Sequence, residues 1–365
     1  MHTLRVTLKQ HTPLIHFQHD QDGATLRASE VKPKLDRYIL TKLGEQNYNV
    51  ISQEDYDEVA GIYDDRNPNN SYEALDVQQQ YYEVGKFVAK QNGWLVGKGE
   101  HPALDYKMRI IADNPVDCSM RVNSIGENDE IGREKFTTPN YPDNTNSLIM
   151  GNIGGRIIED VLNFVLFNSV EIIFFVNSDT LKEVIEENLP LFFLRNNMGN
   201  RTSKGFGSFL VHSIDDTLIK YEKKCGYKTI SFDIVKDDYK NSRITCRNGM
   251  RIVFYCINKM WKMLKKYGFN NVVPDCPSNV FLNRNNTLQG NEERVPSPLF
   301  FKPVITRNAE EWNVRIHIFP DYDVIRQGGA QGNDFKKIID ELIKNVQLKD
   351  EYCYNGYIIN NITIQ

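Results

Sequence analysis

The stretch that decides the fold is EIIFFVNSDTLKEVIEENLPLFFLRNNMGNRTSKGFGSFLVH, residues 171–212. EIIFFV, 171–176, is a short run of β-branched and aromatic residues with the length of a buried strand. Ser178, Asp179 and Thr180 follow as candidate N-caps. Thr180 is favoured because Glu183, three residues on, completes a capping box. LKEVIEENLPLFFL then reads as a helix that Pro190 ends or bends. A Gly-rich basic loop leads out of it into a short strand, SFLVH.

Upstream, TLRVTLK (3–9) alternates apolar and polar residues, the period of a half-buried strand. HTPLIHFQHDQDGATLR is a loop. Ser29 then caps a helix, VKPKLDRYILTKL, with Val31, Leu35, Tyr38, Ile39 and Leu43 on one face, provided Pro33 falls in the first turn. Residues 54–70, acidic and then Asn-rich, read as an exposed loop or insertion. YKMRIIA (106–112) is a strand, 120–150 a loop or long hairpin, and Ile157–Phe167 a helix. VLNFVLFNSVEIIFFV (161–176) therefore reads as a helix end, a turn and a buried strand. Its sixteen residues, broken by Asn163, Asn168, Ser169 and Glu171, fall short of the roughly 20 that span a bilayer.

Downstream, YKTISFDIV is a strand, 249–267 a helix with a large apolar face, and 270–297 loop-rich. LFFKPVI (299–305) and WNVRIHIFP (312–320) read as paired strands. Asn333 or Asp334 starts a last helix, FKKIIDELIKNVQ, and GYIIN is a closing strand. The order β-α-β-β-α-β occurs twice, so the expected class is α+β with two ferredoxin-like (RRM-like, βαββαβ) domains. The expected division is 1–225, with an insertion around 44–103, and 226–365.

The composition suits this. A chain of 365 residues with 40% hydrophobic residues supports two buried cores. With 44 basic and 48 acidic residues, the net charge of −4 gives no argument for nucleic acid, although local patches decide that. The cysteines at 118, 225, 246, 256, 276 and 353 fit neither a zinc site nor a dense disulfide framework, and suit reduced thiols. The first residues hold no long apolar run, so a cytoplasmic protein without a signal peptide or membrane span is expected.

Met198–Phe209, MGNRTSKGFGSF, is the sharpest local feature. Gly199, Gly205 and Gly207 permit positive φ, and successive backbone amides in such a loop can face an anion. Arg195, Arg201 and Lys204 are the charges between 191 and 211, giving +3. Two readings stand: a tight turn with solvated charges, or a contact with phosphate. The spacing is neither a nucleotide P-loop, since Phe206 follows Gly205, nor a dinucleotide fingerprint. A second basic segment spans Ala24–Lys42, where Arg27, Lys32, Lys34, Arg37 and Lys42 outweigh Glu30 and Asp36 by 5 − 2 = +3. It reads as an ordinary helix face or as a helix whose N-terminus meets phosphate. Tyr38 and Phe206 are either stacking groups for bases or, more simply, core residues.

His11, His16, His19, Asp20 and Asp22 cluster in sequence. They read as polar loop residues, as metal ligands without a recognised motif, or as the acid–base groups of a ribonuclease. The six carboxylates between Glu54 and Asp65 read as a solvated surface. No Ser-His-Asp or Cys-His set can be selected, Cys256 and Trp312 read as core, and no cofactor signature is present.

Three segments resemble the RAMP superfamily of type III CRISPR proteins, most closely the subunit called number one of the Cmr complex. They are Thr12-Pro13-Leu14 with Ser29, Val31 and Lys32; the loop Gly199, Arg201, Lys204, Gly205, Gly207, Ser208; and RVPSPLFFKPV, 294–304. The resemblance implies a non-catalytic RNA-binding subunit of an antiviral effector complex. It would contact guide and target RNA near the guide 3′ end beside other RAMP subunits, without metal or cofactor. Combined with the charge of the two basic segments, this makes Arg27, Lys32, Arg37, Arg195, Gly199, Arg201, Lys204, Gly205 and Gly207 the expected RNA-binding residues. The enzyme alternative is a metal-independent guide-RNA-processing endoribonuclease, with His16, His19 and Asp22 as its catalytic candidates.

Overall fold

The computed structural model describes residues 1–15, 25–97, 102–118, 120–121, 161–162, 164–200, 202–211, 228–236, 243–267, 299–308, 310–320 and 357–364. Strand β1 (His2–Gln10) is followed by helices α1 (Ala28–Asn47), α2 (Gln53–Arg66) and α3 (Val77–Gln91). Next come the short strands β2 (Leu95–Val96) and β3 (Ala103–Leu104), the long strand β4 (Tyr106–Asp117), and the short pair β5 (Met120–Arg121) and β6 (Val161–Leu162). Strand β7 (Val165–Val176), α4 (Asp179–Arg195) and β8 (Phe209–Val211) complete the N-terminal half. The C-terminal half holds β9 (Lys228–Lys236), α5 (Cys246–Tyr267), β10 (Leu299–Arg307), β11 (Glu311–Pro320) and β12 (Tyr357–Ile364).

The main strands form two four-stranded antiparallel sheets, ordered β4-β7-β1-β8 and β10-β11-β9-β12. Counting the main strands of each half in chain order, both sheets run second, third, first, fourth. This is an α+β architecture consistent with ferredoxin-like domains. Leu4 and Leu8 of β1 and Val170, Ile172, Phe174 and Val176 of β7 line one face of the first sheet. That face packs on Val31, Leu35 and Ile39 of α1 and on Leu181, Ile185, Leu189, Phe192 and Phe193 of α4. Each such side chain contributes about 1.5–3 kcal/mol.

The segment read as helix and turn is strand: β7 pairs with β1 from Val176 to Val170, and with β4 on the other side down to Val165. Leu166, Val170 and Ile172 keep the two-residue period across it, while Asn168 is exposed. Pairing with β4 on both sides of Asn168 outweighs the turn signal of Asn168-Ser169. Helix α1 starts at Ala28 after Arg27, with no side-chain cap, so Ser29 is not the cap and Pro33 lies in the second turn, exposed. Ser178, not Thr180, caps α4: its hydroxyl accepts from the Leu181 amide at 3.2 Å. The helix continues through Pro190 to Arg195.

The stretch read as loop is helix α2. Ser52 caps it by accepting from the Asp55 amide and donating to its carboxylate. Val59 packs with Tyr72, Val84 and Phe87 into a small separate cluster, and the acidic side chains of α2 face outward. Cys118 and Cys246 form a disulfide between the end of β4 and the start of α5, their Cα atoms 5.4 Å apart, where reduced thiols were expected. The last helix, the 120–150 hairpin apart from β5, and the 270–297 loop lie outside the described residues.

Helices α1 and α3 cross at glycine. A Cβ on Gly85 would lie 1.8 Å from the Leu40 carbonyl oxygen, and one on Gly44 1.7 Å from that of Tyr81. Gly85→Ala must therefore force the backbones apart, and urea unfolding is expected to show a loss of about 3 kcal/mol. Gly61→Ala in α2, with nothing within 4 Å of the new methyl group, is expected to stabilise by about 1 kcal/mol. Equal effects would refute the close approach.

Candidate nucleic-acid interface

The Gly-rich loop leaves α4 and folds onto the segment that leaves β1. Gly199 and Gly207 have φ of +79° and +66°, conformations that L side chains rarely adopt. A Cβ on Gly199 would meet the Ile15 carbonyl oxygen at 2.4 Å, and one on Gly207 the Met198 carbonyl oxygen at 1.8 Å. Positive φ and close backbone approach are thus both required.

Six amides of this loop are committed within the protein. Met198 donates to the Gly207 carbonyl, Asn200 to Ile15, Gly205 to Thr202 and Gly207 to Pro13. Ser208 donates to the Thr12 hydroxyl at 2.9 Å, and Gly199 to the Glu30 carboxylate. Where the sequence suggested an anion cradle, these N–H groups lock the loop to Thr12–Ile15 and to α1.

The same loop joins the two halves. The Thr12 hydroxyl donates to the Gly205 carbonyl at 2.6 Å, and the Ser208 hydroxyl to Pro303 of β10 at 2.7 Å. The Asn197 amide group donates to the Phe301 carbonyl at 2.8 Å. Lys302 reaches back from β10 to the carbonyls of Asn196 and Phe209, at 2.9 and 3.0 Å. Arg307 donates to the carbonyls of Gln10 and His11. Phe206 is buried and stacks on Phe254 of α5, centroids 4.1 Å apart, which leaves it no face for a base. Thr12–Leu14, the Gly-rich loop and LFFKPV, each part of a segment that carries the family resemblance, meet at this junction.

Burial sets the chemistry of the junction. Lys302 is fully buried, and desolvation holds its ammonium well below the usual lysine range. Desolvation likewise brings Arg307 down to about 10. His11 is lowered, first by burial and then by Lys9, Arg307 and Lys302. Its Nδ1 faces the Ile305 backbone, 2.9 Å from the amide and 3.2 Å from the carbonyl oxygen. His11 is therefore a strut between the halves, not a loop ligand or solvent-facing base. Lys302 and Arg307 were not singled out from sequence; a lone lysine inside the apolar run LFFKPVI was the only signal.

The basic residues fall into three groups. Arg27, just before α1, and Arg37 on it are exposed, with Arg37 5.6 Å from the Tyr82 ring. Lys32 turns inward: it bonds the Asp36 carboxylate at 3.0 Å and the Leu104 carbonyl at 2.9 Å, and lies 3.6 Å over the Tyr106 ring. Arg195 ends α4 and Lys204 ends a 3-10 turn at Thr202–Lys204; both are half-buried. The Glu30–Gly199 bond brings the start of α1 against the loop, so the two basic segments adjoin. Arg201, His16, His19 and Asp22 lie outside the described residues. Tyr38 packs on Phe192 at 5.6 Å between centroids.

Among the described residues no cluster of three or more His, Cys, Asp or Glu is placed to hold a metal ion, and no helix is long and apolar enough to cross a membrane. No curated protein matches the chain. Among solved structures, the crystal structure of Cmr1 from Pyrococcus furiosus in its apo form is similar at 10% identity and a TM-score of 0.39, over 88% of this chain and 89% of that one. The family described as the Cmr1 N-terminal domain matches residues 1–267, nearly three quarters of the sequence. The chain belongs to the Cmr1 family.

Proposed function

We propose that the protein is a non-catalytic RNA-binding subunit of a Cmr-type type III CRISPR effector complex in the cytoplasm. In this reading it is built from two ferredoxin-like RAMP domains, 1–225 and 226–365. It contacts guide and target RNA near the guide 3′ end and rests against other RAMP subunits. Family membership supports this. The observation that carries it is the Glu30–Gly199 bond, which sets the exposed N-terminus of α1 beside the Gly-rich loop. Arg27, Arg37, Arg195 and Lys204 then belong to one basic surface on an acidic chain, and in sequence Arg201 falls in the same loop. Because the loop amides of Gly199, Gly205 and Gly207 are committed internally, the glycines shape this surface and side chains make the contacts. Lys32 is tied to Asp36 and Leu104, and supports α1 from within.

Changing Arg201 and Lys204 together to Ala is expected to weaken binding of single-stranded RNA and to flatten its salt dependence by about 0.7 for each phosphate no longer neutralised. Filter binding across a salt series measures this; an unchanged slope in the folded double variant removes the loop from the interface. Little base preference is expected, since cation–phosphate contacts position RNA without reading it. Labelled guide-repeat RNA should remain intact with the protein alone. Cleavage abolished by His16→Ala or His19→Ala would instead establish the endoribonuclease.

A further inference from the structure

The two faces of the first sheet differ sharply. Even-numbered residues of β1, of β7 from Val170 onward and of the first half of β4 point into the core under α1 and α4. The odd-numbered residues form cross-strand rows on the other face: Thr3–Phe175–Lys107, Arg5–Ile173–Arg109 and Thr7–Glu171–Ile111. Thr3, Arg5, Thr7, Lys107 and Arg109 are exposed, Phe175 is half-buried, and Ile173 is buried between the two arginines of its row.

The charge of this face is 3 − 1 = +2, from Arg5, Lys107 and Arg109 against Glu171, in a chain of −4. Glu171 pairs with Arg5 at 3.1 Å, yet the Arg5 side chain remains 62% exposed. Strand β4 is the edge of the sheet, so its cations border open solvent. Resting on the RNA-binding reading above, we propose that this face is a second platform for single-stranded RNA, separate from the Gly-rich loop. Phe175 stacks a base, while Lys107, Arg109 and Arg5 hold the flanking phosphates.

The geometry suits an extended strand of nucleotides. Successive rows are about 7 Å apart, and neighbouring strands place cations about 5 Å to each side of the Phe175–Ile173 line. A planar aromatic group with cations beside it is the arrangement that binds single strands without reading sequence. The C-terminal half packs at the other end of the sheet, through Gln10 and Cys118. About 24 Å of β1 separates Thr3 from Gln10. An RNA crossing the face toward Gln10 therefore arrives at the junction that carries the Gly-rich loop.

The test uses the full-length protein and a fluorescent polyuridine oligonucleotide of roughly ten nucleotides, titrated at several salt concentrations. Arg5→Ala with Arg109→Ala is expected to lower the salt slope by about 1.4, two phosphates at about 0.7 each. Phe175→Leu is expected to weaken binding at least about fivefold with the slope unchanged, the signature of a missing stacking partner. Circular dichroism and thermal melting confirm that each variant is folded. Wild-type affinity and slope in both variants, with a loss for Arg201→Ala/Lys204→Ala, would overturn the platform and leave the loop reading standing. Loss in the sheet variants alone would support the platform and remove the loop. No binding by the wild-type protein would overturn both. Unchanged RNA binding with loss of a co-purifying acidic subunit in the arginine variant would assign the face to a protein partner and overturn the platform.

Discussion

Gly207→Ala is expected to remove about 4 kcal/mol of stability or more, enough to unfold the junction between the halves. Two penalties coincide there. A φ of +66° costs a non-glycine residue roughly 1–2 kcal/mol. The added methyl group would also stand 1.8 Å from the Met198 carbonyl oxygen and 2.7 Å from its carbon, positions no side-chain rotation can relieve. Met198 donates to Gly207, and Gly207 to Pro13, so any shift breaks both bonds. The control is Gly93→Ala, where φ is +68° but nothing lies within 4 Å. It carries only the conformational penalty, about 1 kcal/mol. Urea unfolding followed by circular dichroism and tryptophan fluorescence compares them. Equal losses would show that close approach contributes nothing.

Gly199, Gly205 and Gly207 show how far the sequence could be read. Their positive φ follows from composition and spacing, and the structure has it at all three. Their partners do not follow, because Pro13, Ile15 and Pro303 lie far away in the chain and no local pattern announces them. Strand β1 is legible from alternation, β9, β10, β11 and β12 are also read as strands, and α5 is legible from its apolar face. Helix α2 is not, because only Val59 is buried on it. The Ser52–Asp55 cap was its one usable mark. In β7, the Asn168-Ser169 pair imitates a turn until its pairing with β4 is known. Lys32 looked like a free cation because Leu104 and Tyr106 are some seventy residues away. A charge on a helix declares its sign in the sequence, but tertiary partners decide where it points.

Stability is also expected to fall steeply as pH drops below about 6.5, before most carboxylates titrate. His317 and His11 are both buried and neutral. Burial, reinforced by Arg315 and Lys302, takes His317 down to about 3, and its Nδ1 stands 2.9 Å from the Thr229 hydroxyl. His11 is displaced in the same direction by burial and by Lys9, Arg307 and Lys302. Above the unfolded value of about 6.5 both rings are neutral in either state, so neither makes stability depend on pH. Below it, the unfolded chain binds the proton and the folded chain does not. Each histidine then lowers stability by about 1.4 kcal/mol per pH unit, or about 2 kcal/mol between pH 6.5 and 5. The loss continues until the folded-state value is reached. Urea midpoints between about pH 7.5 and 5 should fall with the slope of nearly two protons, and His317→Gln should flatten that slope by about half. A stability that stays level down to pH 5 would mean that the rings accept protons in place, and that the junction around His11 and Lys302 is wetter than its packing implies.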